Sequence, residues 1–160
     1  MTARSPLVEL LGLEPHVEGG YYRELWRSEV VLPQALLGPR YAGSRESASS
    51  IYFLLHPGEV SAWHVIASAE LWLYHLGSPL TLTLGGSGAV PRPAETLVLG
   101  PEIAGGERPQ QLVPPGVWQT ARNDGPEATL VSCIVSPAFH PDEFRLAAPF
   151  PVGACRPGGV

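Results

Sequence analysis

The sequence predicts an all-β fold, a sandwich or barrel of short strands. Short apolar runs recur along the chain, bounded by Gly, Pro, Asn or Ser clusters at intervals of roughly ten residues, the spacing of such folds. Gly 18 and Pro 18 are spread between those runs rather than gathered in one linker, the texture of a many-turned β protein. With 44% hydrophobic and 16% charged residues, the 160-residue chain has enough apolar surface for one compact domain.

"SPLVELLGLEPH" reads as a short amphipathic helix. Ser5 is the candidate N-cap, Pro6 the first helical position, Leu7, Leu10 and Leu11 one face, and Gly12 and Pro15 the stop. It has neither the basic region nor the cleavage site of a targeting segment. Strands are then predicted at Gly19–Ser28, Ser49–Leu55, Ser61–Ile66, Glu70–Leu76, Leu80–Leu84 and Glu95–Gly100. Gln110–Pro114, Val117–Ala121 and Thr129–Val135 complete the set. The segment Pro33–Ser49 is too long for a hairpin and is expected to be a lid or a poorly ordered crossover. Gly85–Pro93 is Gly-rich, but no Lys and no helix follow it, so it reads as a flexible turn and not a phosphate loop. "PAFHPDEFRL" is expected to add a turn of helix or a strand, and "PVGACRPGGV" a frayed tail.

Charge excludes several function classes. The formal net charge of −5 argues against a nucleic-acid partner, which needs clustered cations. All ten basic residues are arginine, so neither a Schiff-base lysine nor a P-loop lysine is available. No apolar stretch approaches the ~20 residues of a membrane helix. Cys133 and Cys155 form no CxxC pair, and with no signal peptide in view both are expected as reduced thiols of a cytoplasmic protein, Cys133 as a buried small hydrophobe.

The stretch "GEVSAWHVIASAELWLYHLG", Gly58 to Gly77, carries the candidate site. Strand alternation points Ala62, His64 and Ile66 to one side, and Glu70, Trp72 and Tyr74 likewise. Val117, Gln119 and Ala121 share a face further on. In a closed barrel His64, Glu70 and Gln119 converge at the mouth, where pockets of such barrels lie, while His75 points away. The first motif of the cupin superfamily is G, five residues, H-x-H, three or four residues, E, six residues, G. Gly58, His64, Glu70 and Gly77 fall on it, with Ile66 in place of the second His. The second motif ends P-x-G, two residues, H, three residues, N. Pro114, Gly116 and Asn123 match it, with Gln119 in place of His and a small insertion displacing the leading Gly to Gly105 and Gly106.

The chain thus resembles the cupins. In "EPHVEGGYYRELWRS", "SSIYFLL", "SAWHVIASAELWLYHLGSPLTL" and "QLVPPGVWQTA" it is similar to the small single-domain group known as cupin type 5. The likeness runs from about Leu7 to Leu146 and leaves 147–160 as a tail. It implies a double-stranded β-helix (jelly-roll) barrel with a short N-terminal helix, and a homodimer in which N-terminal segments pack on the partner. It implies no settled reaction.

A metal-binding cupin resembling the full pattern would offer three histidines and a glutamate. Here the set would be His64, Glu70 and a weak Gln119 carbonyl, so no cofactor is the preferred expectation, with a weakly held divalent ion as the alternative. Without metal, His64 beside Glu70 makes an acid–base pair, the carboxylate orienting the ring and raising its pKa. The preferred function is small-molecule binding with metal-independent isomerase or epimerase chemistry on a carbohydrate or sugar-nucleotide-like ligand. His64 is then the base, Glu70 its orienting partner and Gln119 a substrate hydrogen-bonder. Trp72, Tyr74 and Ile66 are expected to line the pocket, with Tyr52 or Tyr74 as the acid, by analogy with the nucleotide-sugar 3,5-epimerases. The alternatives are a non-catalytic ligand-binding or sensing protein, and a metal-dependent cupin enzyme such as a dioxygenase or isomerase.

"EGGYYRELWRS" allows two readings. Alternation places Tyr22, Glu24 and Trp26 on one face and Tyr21, Arg23, Leu25 and Arg27 on the other. Arg23 is either an anion clamp near the pocket or a surface arginine at a dimer edge. His16, His56 and His140 each sit beside a proline and are expected to be exposed. Trp63 and Trp118 face away from the pocket set.

Overall fold

The computed structural model describes residues 4–148; Cys155 and most of the tail lie outside the described residues. The chain opens with α1 (Leu7–Leu10), β1 (Glu14–Pro15), β2 (Tyr21–Arg27), β3 (Val31–Leu32), α2 (Gln34–Leu37), β4 (Arg45–Glu46) and β5 (Ser49–Leu55). It continues with β6 (Val60–Val65), β7 (Ala69–Leu76), β8 (Leu80–Leu84), β9 (Glu95–Leu99) and β10 (Gln110–Val113). β11 (Gln119–Arg122), β12 (Thr129–Ser136) and β13 (Arg145–Leu146) complete it.

Two antiparallel sheets face one another, ordered β1-β2-β5-β12-β7-β10 and β13-β6-β11-β8-β9, and β3-β4 form a separate ribbon. This is the expected jelly roll. Alternation along each strand sends one face inward. Phe53, Trp72, Val131 and Cys133 of the first sheet meet Leu80, Leu82, Leu84 and Ala121 of the second in the main core. Leu80, Leu82, Leu99 and Val113 fill one end of the sandwich solidly. The other end stays hollow.

Several local expectations are corrected. α1 is a single turn. The Ser5 hydroxyl accepts from Leu7 N at 3.3 Å, but the buried residue is Val8, and Leu10 is 77% exposed, because four residues are too few to present a full face. The segment Pro33–Ser49 is neither a loose crossover nor a lid over the hollow end. It contains α2 and β4, and its buried Tyr41 hydroxyl meets Ser68 Oγ at 3.2 Å. Its buried Arg45 holds Glu143 at 3.0 Å through Nε, tying the segment to the C-terminal turn. "PAFHPDEFRL" forms both expected elements, a turn of 3-10 helix at Pro141–Glu143 and the strand β13 on β6. Trp118 is buried away from the hollow end, its indole N–H donating to Gly88 O at 2.8 Å across the Gly85–Pro93 turn.

The motif glycines have separable duties. Gly77 has φ +96° and a Cβ there would strike the backbone of Ala128, whereas Gly58 has φ +81° with nothing within 4 Å of that point. Gly58→Ala should therefore cost only the left-handed backbone, about 1–2 kcal/mol. Gly77→Ala adds an overpacking term of about 1–3 kcal/mol to the same backbone cost. Urea denaturation of the two variants checks this; equal losses would contradict it.

Candidate functional site

The hollow end is a cavity of about 550 Å³ between the sheets. Its inner end carries polar groups: His64 from β6 of one sheet, Glu70 from β7 of the other, and His16 and Glu18 from the turn between β1 and β2. Tyr22, Phe53, Trp72, Phe139 and Phe144 supply aromatic walls, and Glu24 and Arg27 stand at the more exposed outer end.

Of the residues predicted from sequence, His64, Ile66, Glu70 and Trp72 line this cavity. Gln119 lies directly behind them, completely buried. The indole of Trp72 can only donate, so the N–H at 2.9 Å fixes the Gln119 carbonyl as its acceptor. The Gln119 amide N–H therefore turns to Glu70 Oε2. Both ends of Gln119 are committed, and it orients Glu70 rather than meeting a ligand. His64 is held from the side as well: its Nδ1–H donates to Ala62 O at 2.8 Å, with Glu18 Oε2 at 3.3 Å. The tautomer is thereby set. Nε2 keeps its lone pair, and among the described residues no protein group occupies it.

Three expected pocket residues lie elsewhere. Tyr74 points inward but sits at the filled end, its hydroxyl donating to Gly77 O at 2.5 Å. Tyr52 belongs to the outer face of its sheet, edge-on to His75 at 6.3 Å, and His75 meets Ser132 Oγ there at 2.6 Å. Arg23 donates to Leu11 O at 3.0 Å at the end of α1. The arginine at the cavity is Arg27, because a bulge between Glu24 and Trp26 advances the register by one residue. Trp26 is correspondingly 51% exposed instead of sharing the face of Tyr22 and Glu24.

His16 and Glu18 join the site without a local signal in the sequence. Neither follows from strand alternation, because the turn is brought in by long-range bonds: Ala62 N to Glu18 O at 2.7 Å and Ser61 Oγ to Glu18 Oε2 at 2.9 Å. His16 lies edge-on to Tyr22 at 4.5 Å instead of in solvent. His56 is also buried, accepting from Ser5 N at 2.9 Å. The aromatic residues of "PAFHPDEFRL" were the available signal for the Phe139 and Phe144 wall.

Burial governs the charges. It lowers the His64 pKa, and the Glu70 charge opposes that only in part, so the expected upward shift is reversed. It raises Glu70, against the opposing influence of His64, and pushes Glu18 up to about 8 despite the Ser61 hydrogen bond. Burial, with His64 nearby, lowers His16 to about 4. The Cys133 thiol, buried beside Glu70, is pushed up and stays a thiol. At neutral pH the inner end therefore holds neutral imidazoles beside a protonated Glu18 and a Glu70 that burial also pushes toward its acid form, and the short His64–Glu18 contact is not a strong ion pair.

A cupin metal fits this set poorly. Ile66 places hydrocarbon at one ligand position, and the Gln119 oxygen at another already accepts from Trp72. Among the described residues no group of three His, Cys, Asp or Glu side chains is arranged to hold an ion.

Fold and site together define a cupin-type barrel with a ligand-sized cavity. The chain belongs to the Cupin_5 family of the cupin superfamily (DUF985), whose model matches residues 5–147. A crystal structure of a Shewanella oneidensis protein is 38% identical, with TM-score 0.76 over 91% of this chain and 85% of that one. A hypothetical protein from Leishmania major is 32% identical, with TM-score 0.75 over 87% of this chain and 84% of that one. A double-stranded β-helix protein from Klebsiella pneumoniae, 17% identical over 93% of this chain and 99% of its own, shares the fold with TM-score 0.56. No curated protein matches. No helix among the described residues is long and apolar enough to cross a membrane.

Glu18 makes stability pH-dependent. Its folded pKa of about 8 lies above the ordinary 4.5, so its contribution is complete below pH 4.5 and is lost as pH rises through about 8. Glu70 shares that sign; His16, lowered to about 4, has the opposite one and acts only below its ordinary 6.5. Between pH 6.5 and 8 the Glu18 contribution should fall by about 2 kcal/mol. Denaturation curves across that window should slope less steeply for Glu18→Gln than for the native sequence; equal slopes would contradict the assignment.

Proposed function

We propose that this cupin binds a small organic molecule in the hollow end of its barrel and moves a proton on it without a metal, as an isomerase or epimerase. The observation that carries the reading is that two titratable groups reach one cavity from different sheets. His64, on one sheet, is a neutral base with its Nε2 lone pair free, and Glu70, on the other, is a carboxyl fixed by Gln119 and pushed toward its acid form by burial. A flat or ring-shaped ligand between the sheets presents one face to each.

On a carbon next to a carbonyl, His64 Nε2 takes the proton and the C–H electron pair moves into the enolate. The Glu70 carboxyl then delivers its proton to the opposite face of that carbon, which inverts it, or to the enolate oxygen, which begins an isomerisation. In either case the imidazolium proton later returns the carboxylate to its acid form through solvent or the product. No oxidant or co-reactant enters the balance. The aromatic walls exclude water from the intermediate. A carbohydrate-like ring is the substrate class this geometry supports. Sugar nucleotides suit it less, because their phosphates would need a free cation, and Arg27 is already bound to two glutamates.

The test is solvent exchange. Common aldoses and ketoses, incubated with the protein in deuterated buffer, should include one that loses a proton signal next to its carbonyl in NMR spectra. His64→Ala should slow that exchange by about 10²–10⁴-fold, the usual worth of a positioned general base. Exchange as fast in His64→Ala as in the native protein would remove the assignment. Retained ligand binding with no exchange in either would favour the non-catalytic binding protein.

A further inference from the structure

The cavity holds its polar groups in an arrangement that selects the charge of its ligand. At the outer end, four of the five N–H donors of Arg27 are already engaged and two glutamates neutralise its charge. Its Nε and Nη2 hold Glu24 at 3.2 and 2.8 Å, and its Nη1 holds Glu46 Oε2 at 3.2 Å and Phe139 O at 3.1 Å. Arg23 lies on the other side of the strand, on Leu11 O. Among the described residues lining the cavity, no other side chain carries a permanent positive charge.

At the inner end His64 offers an acceptor and Glu18 and Glu70 are acids able to become acceptors, while His16, whose Nδ1 accepts from Glu18 N at 3.3 Å, carries its hydrogen on Nε2. His64 is 2% exposed, and its Nδ1–H is committed to Ala62 O, so Nε2 is the ring nitrogen left to meet the cavity with its lone pair. The Glu18 side chain is 9% exposed. Its Oε2 accepts from Ser61 and faces the His64 Nδ1 edge. Among the described residues its only basic neighbours are the rings of His16 and His64, at 3.7 and 3.3 Å. A buried carboxyl that no cationic side chain accompanies is costly to ionise, and an arriving cation removes that cost. Beside it stand Tyr22, Phe53 and Phe144, whose π faces attract a cation and repel an anion.

We propose that the ligand carries an ammonium group, with Glu18 as its counterion in the aromatic part of the cavity; the chemical class is an amine-bearing small ring, such as an amino sugar. The proposal rests on the reading of this cavity as a small-molecule site and names the ligand chemistry within it. An ammonium offers three donors and no acceptor, which is what the Glu18 carboxylate complements. When it binds, Glu18 gives up its proton to solvent and becomes the carboxylate of an ion pair. Glu70 stays turned toward Gln119, and His64 Nε2 remains free as the base.

The test uses one ring with a cationic, a neutral or an anionic substituent: cyclohexylamine, cyclohexanol and cyclohexanecarboxylate, titrated calorimetrically into the full chain near neutral pH. Cyclohexylammonium should bind about tenfold tighter than cyclohexanol or better, and the carboxylate weakest, in keeping with one well-placed charge interaction. Glu18→Gln should bring the first two affinities together. If that variant does not fold, the native protein alone settles the question with cyclohexyltrimethylammonium, whose charge cannot be lost. Its binding, compared in two buffers of different ionisation enthalpy, should release about one proton, the one that Glu18 surrenders. Zero release would overturn the proposal. Cyclohexanol or the carboxylate binding as tightly as the amine would overturn it too, while leaving the cavity as a ligand site. Binding by none of the three would overturn the ammonium proposal and count against the cavity as a site for small rings. The proton-transfer role of His64 fails or stands separately, in the deuterium-exchange comparison.

Discussion

The amide of Gln119 joins the two sheets of this barrel at the point where its chemistry is gathered. It stands on β11 in the same sheet as His64, its cross-strand partner, and reaches across to Trp72 and Glu70 on β7 of the other sheet. Because an indole N–H can only donate, the amide has one orientation, and that orientation aims its N–H at the Glu70 carboxyl. Removing either end would leave a buried polar group without a partner, at a cost of about 1–3 kcal/mol. The position that carries a histidine in the second cupin motif thus serves here as an inter-sheet tie. The geometry of Glu70 depends on it.

A site built in this way works through burial rather than through fixed charge. His64 is kept neutral because its surroundings cannot solvate an imidazolium, Glu18 keeps its proton for the same reason, and burial pushes Glu70 the same way. The Ala62 carbonyl then decides which ring nitrogen carries the hydrogen. Base and acid are thereby present together at neutral pH, which two solvent-exposed groups of these types would not be. Ile66 belongs to the same design: where a metal cupin would place a ligand, it contributes hydrocarbon that deepens the desolvation.

Most of the sheet architecture was legible because strand alternation and turn residues are local signals, and the two motifs added the register. His64, Ile66, Glu70 and Trp72 were found this way. Errors arose where a local rule met a tertiary event. The bulge after Glu24 exchanged Trp26 for Arg27, a one-residue slip that flips every later side chain. Tyr74 lies on the correct face of β7 but two residues beyond Trp72, where packed leucines close the barrel. His16 and Glu18 entered the site through bonds to Ser61 and Ala62, more than forty positions away, and no spacing rule reaches that far. Phe139 and Phe144 wall the cavity for a similar reason. Their segment is anchored by the Arg45–Glu143 ion pair, which joins residues 98 apart.

The measurement that bears most directly on this account is the protonation state of the His64 ring, read from long-range proton–nitrogen NMR correlations on histidine-labelled protein. With five histidines in the chain, His64→Gln assigns the signal. The account predicts a neutral ring at pH 7, protonated at Nδ1 and bare at Nε2, unchanged down to mildly acidic pH. An imidazolium at pH 7, or a ring carrying its hydrogen on Nε2, would contradict it, since neither could accept a proton from a ligand in the cavity.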